Sequence, residues 1–133
     1  MSIVGIYGVH KRFKEKKLKI LVTGSAGFIC GYTIEELLNN GHEIVGIDNY
    51  SKYGKIKKSY DNHPHYTFVE DDVKNTSLMK ELIADCDQVL AGAAMVGGIS
   101  YFHKNAYDLL AENERIMAST FEAAIWAYQH KKL

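Results

Sequence analysis

Gly24 and Gly27 stand between a short apolar run and an amphipathic stretch, and this junction constrains the fold more than any other feature of the chain. Residues 18–22 (Leu-Lys-Ile-Leu-Val) have the length and apolar content of a strand buried in a sheet. Residues 28–40 carry Ile29, Tyr32, Ile34, Leu37 and Leu38 near helical spacing, and Asn39, Asn40 and Gly41 stop the helix. One glycine permits a tight turn from strand to helix, and a second lets a ligand approach the backbone. The helix start then offers free N–H groups and a positive dipole end to phosphate. Asp48, 24 residues after Gly24, ends the next apolar run (Glu-Ile-Val-Gly-Ile-Asp, 43–48). A carboxylate at that strand end accepts hydrogen bonds from an adenosine ribose. Turn, helix and acid together predict a dinucleotide site, for NAD in preference to NADP.

The remaining pattern extends this unit. Residues 66–69 read as a third strand and 88–94 as a fourth that ends in small residues. Asn75 or Thr76 caps a helix running to residue 85. A loop over 95–105 precedes a last helix over 106–130, with Leu109, Leu110, Ile116, Met117, Phe121, Ala124 and Ile125 along it. Residues 49–65 are long and polar and stand where a crossover helix is missing. Apolar strands alternating with helices predict a parallel sheet covered on both faces. Residues 1–17, mildly apolar and then basic, read as an N-terminal extension, and residues 18–133 as the domain.

Composition removes several functional classes. At 133 residues the chain is of one-domain size. A formal net charge of 0 gives no whole-chain case for nucleic acid, and no apolar run is long enough for a membrane span. The charge is unevenly placed: residues 1–58 hold 10 of the 16 basic residues and only 5 of the 16 acids. Lys52, Lys55, Lys57 and Lys58 form either a solvated loop or a positive rim near phosphate. Cys30 and Cys86 are too few for a disulfide scaffold, so a cytoplasmic protein is expected. His63-Pro64-His65 lacks the companions of a metal site. Tyr101, Phe102 and His103 follow the fourth strand, where open sheets bind ligands; they either touch substrate or pack on the last helix.

The segment Thr23-Gly24-Ser25-Ala26-Gly27-Phe28-Ile29-Cys30 resembles the Thr-Gly-x-x-Gly-x-x-Gly motif of the extended short-chain dehydrogenase/reductase superfamily, in its nucleotide-sugar epimerase and dehydratase branch. Asp48-Asn49 is similar to the family's Asp-Asn pair after the second strand. Asp71-Asp72-Val73 resembles its acidic step after the third, where the aspartate lies near adenine. Ala93-Ala94 resembles the small end of its fourth strand, and Asn113 with Glu122-Ala123-Ala124 resembles the following helix. The similarity covers residues 18–133. It implies an α/β, Rossmann-type doubly wound parallel sheet in the order 3-2-1-4, incomplete after the fourth strand and its helix. It also implies an NAD cradle of Gly24, Ser25, Ala26, Gly27, Phe28, Ile29, Asp48, Asn49, Asp72, Val73, Ala93 and Ala94, with Asn113 supporting the active site. A nucleotide-sugar substrate and a homodimer through the last helix are further implications.

Two positions depart from the family. Cys30 takes the place of the third glycine, which normally lets the first helix pack close to the sheet; burial under that helix is its expected place. The family's catalytic serine or threonine and Tyr-x-x-x-Lys pair follow a fifth strand. Three such strings occur here, Tyr7/Lys11, Tyr53/Lys57 and Tyr128/Lys132, and none stands in that setting. The expectation is therefore the cofactor-binding portion of an epimerase or dehydratase, with no turnover by residues 1–133 alone. The alternatives are a free-standing, non-catalytic NAD-binding or regulatory module, or a gene remnant.

Overall fold

The computed structural model describes residues 16–50, 54–93 and 99–130. The elements run β1 (Lys19–Thr23), α1 (Phe28–Asn39), β2 (Glu43–Asp48), β3 (Tyr66–Glu70), α2 (Thr76–Ala84), β4 (Gln88–Ala91) and α3 (Ile99–His130). The strands form one parallel sheet in the order β3-β2-β1-β4, the order the resemblance implied.

Successive side chains of a strand point to opposite faces. Ile20, Val22 and Ile44 therefore meet Ile34, Leu37 and Leu38 of α1 on one face. Leu21, Val45 and Ile47 meet Met79 and Ile83 of α2, and Ala123 and Ala127 of α3, on the other. Each fully buried aliphatic side chain contributes about 2 kcal/mol to this sandwich. The Asn75 side chain accepts from the Leu78 N–H and caps α2, which decides between Asn75 and Thr76. Gly41, at φ 86°, ends α1 in the left-handed conformation. Lys17, assigned above to the extension, donates to the Asn40 carbonyl at 2.9 Å and so packs with the domain.

Three expectations need correction. β4 ends at Ala91 rather than residue 94, and α3 begins at Ile99 rather than 106. Residues 99–105, expected in the loop, belong to the helix. On α1, Ile29 and Tyr32 face solvent rather than the sheet. On α3, Leu110, Met117, Phe121 and Ile125 are also exposed, together with Tyr107 and Tyr128. The buried face, packed on α2 and the core it shares with the sheet, holds Ser119, Thr120, Ala123, Ala124 and Ala127. Small residues let the helix lie close to its neighbours, and of the apolar positions read from the sequence only Ala124 is among these buried residues.

The polar crossover also hides a core residue. Tyr60 is buried, its ring packs edge-on against Tyr66 with centroids 4.8 Å apart, and both belong to the α1-side core. It fills part of the layer that a crossover helix would occupy.

Candidate functional site

β1 delivers the chain into the glycine turn at the carboxyl edge of the sheet. Gly24 has φ 72°, and a Cβ there would stand 2.7 Å from the Gly92 carbonyl oxygen and 2.9 Å from the Ala93 Cα. Glycine is required twice over, for the left-handed backbone and for the close approach of the β4 end. The Gly24 N–H donates to the Ile47 carbonyl at 2.9 Å, and the Gly27 N–H closes the turn on the Gly24 carbonyl at 2.9 Å. Gly27 is then the N-cap of α1 and supplies no side-chain acceptor; the first turn holds no acid. The leading N–H groups of the helix, at Phe28, Ile29 and Cys30, are left for an external anion. Phe28 and Ile29 are largely exposed, with Phe28 packed edge-on against Tyr32.

Asp48 ends β2 beside this turn. Its Oδ2 accepts from the Ala26 N–H at 2.9 Å and its Oδ1 from the Tyr50 N–H at 2.7 Å. Each carboxylate oxygen keeps a further acceptor site, since an ionised carboxylate offers about four. Asn49 is exposed next to it. Tyr50 is the one non-glycine residue with positive φ among those described, at 61°. Ser25 is fully buried under the turn, and its carbonyl accepts from the Tyr60 hydroxyl at 2.6 Å. Sequence reasoning passed over Tyr50 and Tyr60, because both sit in the polar crossover with no periodicity to mark them.

The same edge receives the ends of β3 and β4. The Asp72 carboxylate accepts from the Lys74 N–H at 2.8 Å and pairs with the Lys74 Nζ at 3.5 Å. Lys74 in turn meets Glu112 of α3 at 2.6 Å, and that hydrogen bond is the main cause of its raised pKa. Val73 is a core residue. The Gly92 and Ala93 N–H groups both donate to the buried Thr23 Oγ1, at 3.0 and 3.1 Å, which docks the β4 end on β1. The structure thus gathers Gly24 to Ile29, Asp48, Asp72 and Ala93 along one sheet edge, the edge where open α/β sheets bind ligands. Asn113 lies half-buried on α3, after Glu112 in sequence. Ala94 lies outside the described residues, as do Tyr7, Lys11, Tyr53 and Lys132 of the Tyr-x-x-x-Lys strings. The side chains of Tyr101, Phe102 and His103 are likewise not described.

Cys30 is buried under α1, as its size suggested, and its thiol points at the Thr23 carbonyl, 3.7 Å away. Burial, reinforced by the charge of Asp48, raises its pKa, so the thiol stays protonated. Gly31, one position late in the motif, meets nothing closer than 3.7 Å at its would-be Cβ. The close approach has moved to Gly92.

Residues 20–132 match the NAD dependent epimerase/dehydratase family. The chain is 30% identical over 122 residues to uncharacterized protein MJ1055 of Methanocaldococcus jannaschii, covering 82% of this chain and 36% of that protein. It is 35% identical over 80 residues to the low-salt glycan biosynthesis protein Agl12 of Haloferax volcanii, covering 58% and 26%. Among solved structures, WbmH of Bordetella bronchiseptica in complex with NAD+ aligns with a TM-score of 0.68 at 29% identity, over 84% of this chain and 36% of that one. UDP-glucose 4-epimerase of Thermotoga maritima with UDP-glucose aligns at 0.66 and 25% identity, over 82% and 34%. The chain thus spans between 26% and 36% of the length of these relatives. The fold, the glycine turn with its acid partner, and a match over nearly the whole chain converge: the chain belongs to the NAD-dependent epimerase/dehydratase family.

Proposed function

We propose that residues 18–133 bind NAD and form the cofactor-holding part of a nucleotide-sugar epimerase or dehydratase. The observation that carries this reading is one juxtaposition: the uncapped N-terminus of α1 and the doubly anchored Asp48 face the same sheet edge. An anion site and a diol acceptor so placed match the pyrophosphate and ribose of a dinucleotide. The relatives solved with NAD+ and with UDP-glucose support the same classes of cofactor and substrate.

In this reading the N–H groups of Phe28 and Ile29 receive the pyrophosphate. Asp48, with Asn49 beside it, accepts from the ribose hydroxyls, which favours NAD over NADP. Asp72 and Val73 border the adenine, and Ala93 and Ala94 leave room at the β4 end. Ser25, Ala26 and the glycines hold the turn. Asn113 supports the active site from α3. When bound, NAD supplies a reversible hydride acceptor for a sugar carbon. The exposed stripe of Leu110, Met117 and Phe121 on α3 suits a homodimer through that helix. Cys30 and Cys86 are not joined in a disulfide, in keeping with the cytosol, and no helix among the described residues is long and apolar enough to cross a membrane.

Calorimetric titration with NAD tests the cradle, with Asp48→Ala as the comparison. The expected result is saturable binding that the substitution weakens at least about tenfold. No binding at about 1 mM NAD sinks the reading. Turnover of UDP-, GDP- and dTDP-sugars by the whole protein tests the reaction class.

A further inference from the structure

We infer that Tyr50 is a positioning residue that sets the choice between NAD and NADP by locking Asp48; the inference rests on the NAD-binding reading above. Tyr50 adopts φ 61°, a conformation an aromatic residue enters only when its surroundings impose it. Two contacts do so. Its ring packs on Phe68 of β3 with centroids 5.2 Å apart, and its carbonyl accepts from the Gly54 N–H at 2.9 Å.

With ring and carbonyl held in place, φ 61° is the rotation that leaves the Tyr50 N–H on Asp48 Oδ1, at 2.7 Å, while Oδ2 is tied to the Ala26 N–H at 2.9 Å. With one oxygen tied, a carboxylate still swings about its Cβ–Cγ bond; with both tied, it does not. A fixed carboxylate presents two acceptors to a vicinal diol. It also cannot turn away from a 2′-phosphate, so the like-charge repulsion falls in full on NADP. Once the carboxylate is free, a cation is at hand: Lys58 lies with Tyr50, Ser25 and Ala26 around one shallow depression beside the turn. The discrimination therefore depends on the backbone conformation at position 50 and not on the phenol group.

Two substitutions separate backbone from ring. Tyr50→Asn tolerates the left-handed conformation, and Tyr50→Val, being β-branched, opposes it. Both remove the ring, and both keep the N–H. The readout is the ratio of dissociation constants, NADP over NAD, in the whole protein. Tyr50→Asn should hold the ratio within about twofold of wild type, and Tyr50→Val should lower it about tenfold. Equal ratios in the two variants overturn the inference, whether both fall or neither does. Should Tyr50→Val fail to fold, Phe68→Leu carries the test: it should lower the ratio beside Tyr50 and leave it unchanged beside Tyr50→Asn. An equal effect in both backgrounds overturns the inference. Wild-type protein that binds NAD and NADP alike overturns this inference alone, and wild-type protein that binds neither removes the NAD-binding reading with it.

Discussion

The Cys30 Sγ occupies the volume that a Cβ on Gly92 would need. The first turn of α1 and the end of β4 must pass close together, and one of the two positions has to give up its side chain. Here a cysteine stands on the helix and the glycine on the strand end. A backbone contact adds to the constraint, since the same Cβ would lie 2.8 Å from the Thr23 carbonyl oxygen. The pair therefore acts as a unit in packing α1 on the sheet.

That coupling is measurable. Gly92→Ala should cost about 3 kcal/mol, through overpacking against both the thiol and the Thr23 carbonyl. Cys30→Ala alone should cost about 1 kcal/mol for the lost buried sulfur. The double variant should recover at least about 1 kcal/mol relative to the sum. Urea unfolding of the four proteins closes the cycle, and strict additivity would contradict the shared volume.

Tyr60→Phe isolates one buried hydrogen bond. The hydroxyl donates to the Ser25 carbonyl at 2.6 Å and ties the crossover to the glycine turn. Its removal leaves that acceptor buried without this donor and should cost about 2 kcal/mol. Hydrogen exchange should show the turn opening more often than the far ends of the strands, since the lost bond lies at the turn.

Stability should fall off on both sides of neutrality. Burial pushes the Tyr66 hydroxyl up to about 12 and raises Tyr60 as well. Burial and Asp48 raise Cys30, and the hydrogen bond to Glu112 raises Lys74. All four hold protons more tightly when folded. Their contribution is complete below the unfolded values, of which the thiol's 9.0 is the lowest, and is lost as pH climbs toward 12. His42 runs the other way: burial, then Lys17, lowers it from 6.5, and its Nδ1 accepts from the Leu18 N–H. Its contribution is present above 6.5 and lost as pH falls through the lowered value. Urea midpoints at about pH 5, 8 and 11 should show the plateau. His42→Asn should flatten only the acid limb.

The exposed face of α3 gives the fourth expectation. Phe121 is 48% exposed, so Phe121→Glu should leave monomer stability within about 0.5 kcal/mol. If two copies pair through this helix, the substitution should halve the mass seen by sedimentation in the whole protein. An unchanged mass would remove α3 from the interface.

Much of the architecture was legible in the chain itself. Short apolar runs at residues 18–22 and 43–48, a glycine turn and a terminal acid leave few folds open, because each is a local consequence of backbone sterics and burial. The candidate site positions Gly24, Gly27 and Asp48 come together for the same reason: their spacing is set within one strand-turn-helix-strand unit. Only the tertiary structure decided what depends on residues far apart in sequence. The missing side chain at Gly92 makes room for Cys30, 62 positions away, and periodicity within α1 carries no record of it. Tyr60 reaches the Ser25 carbonyl across 35 positions from a segment that reads as polar loop. On α3 the sequence marked the larger apolar residues, and packing against α2 and the shared core decided that the small residues Ser119, Ala123 and Ala127 face inward. Local sequence encodes backbone conformation through steric preference; which surfaces meet is encoded only in the pairing of shapes that folding brings together.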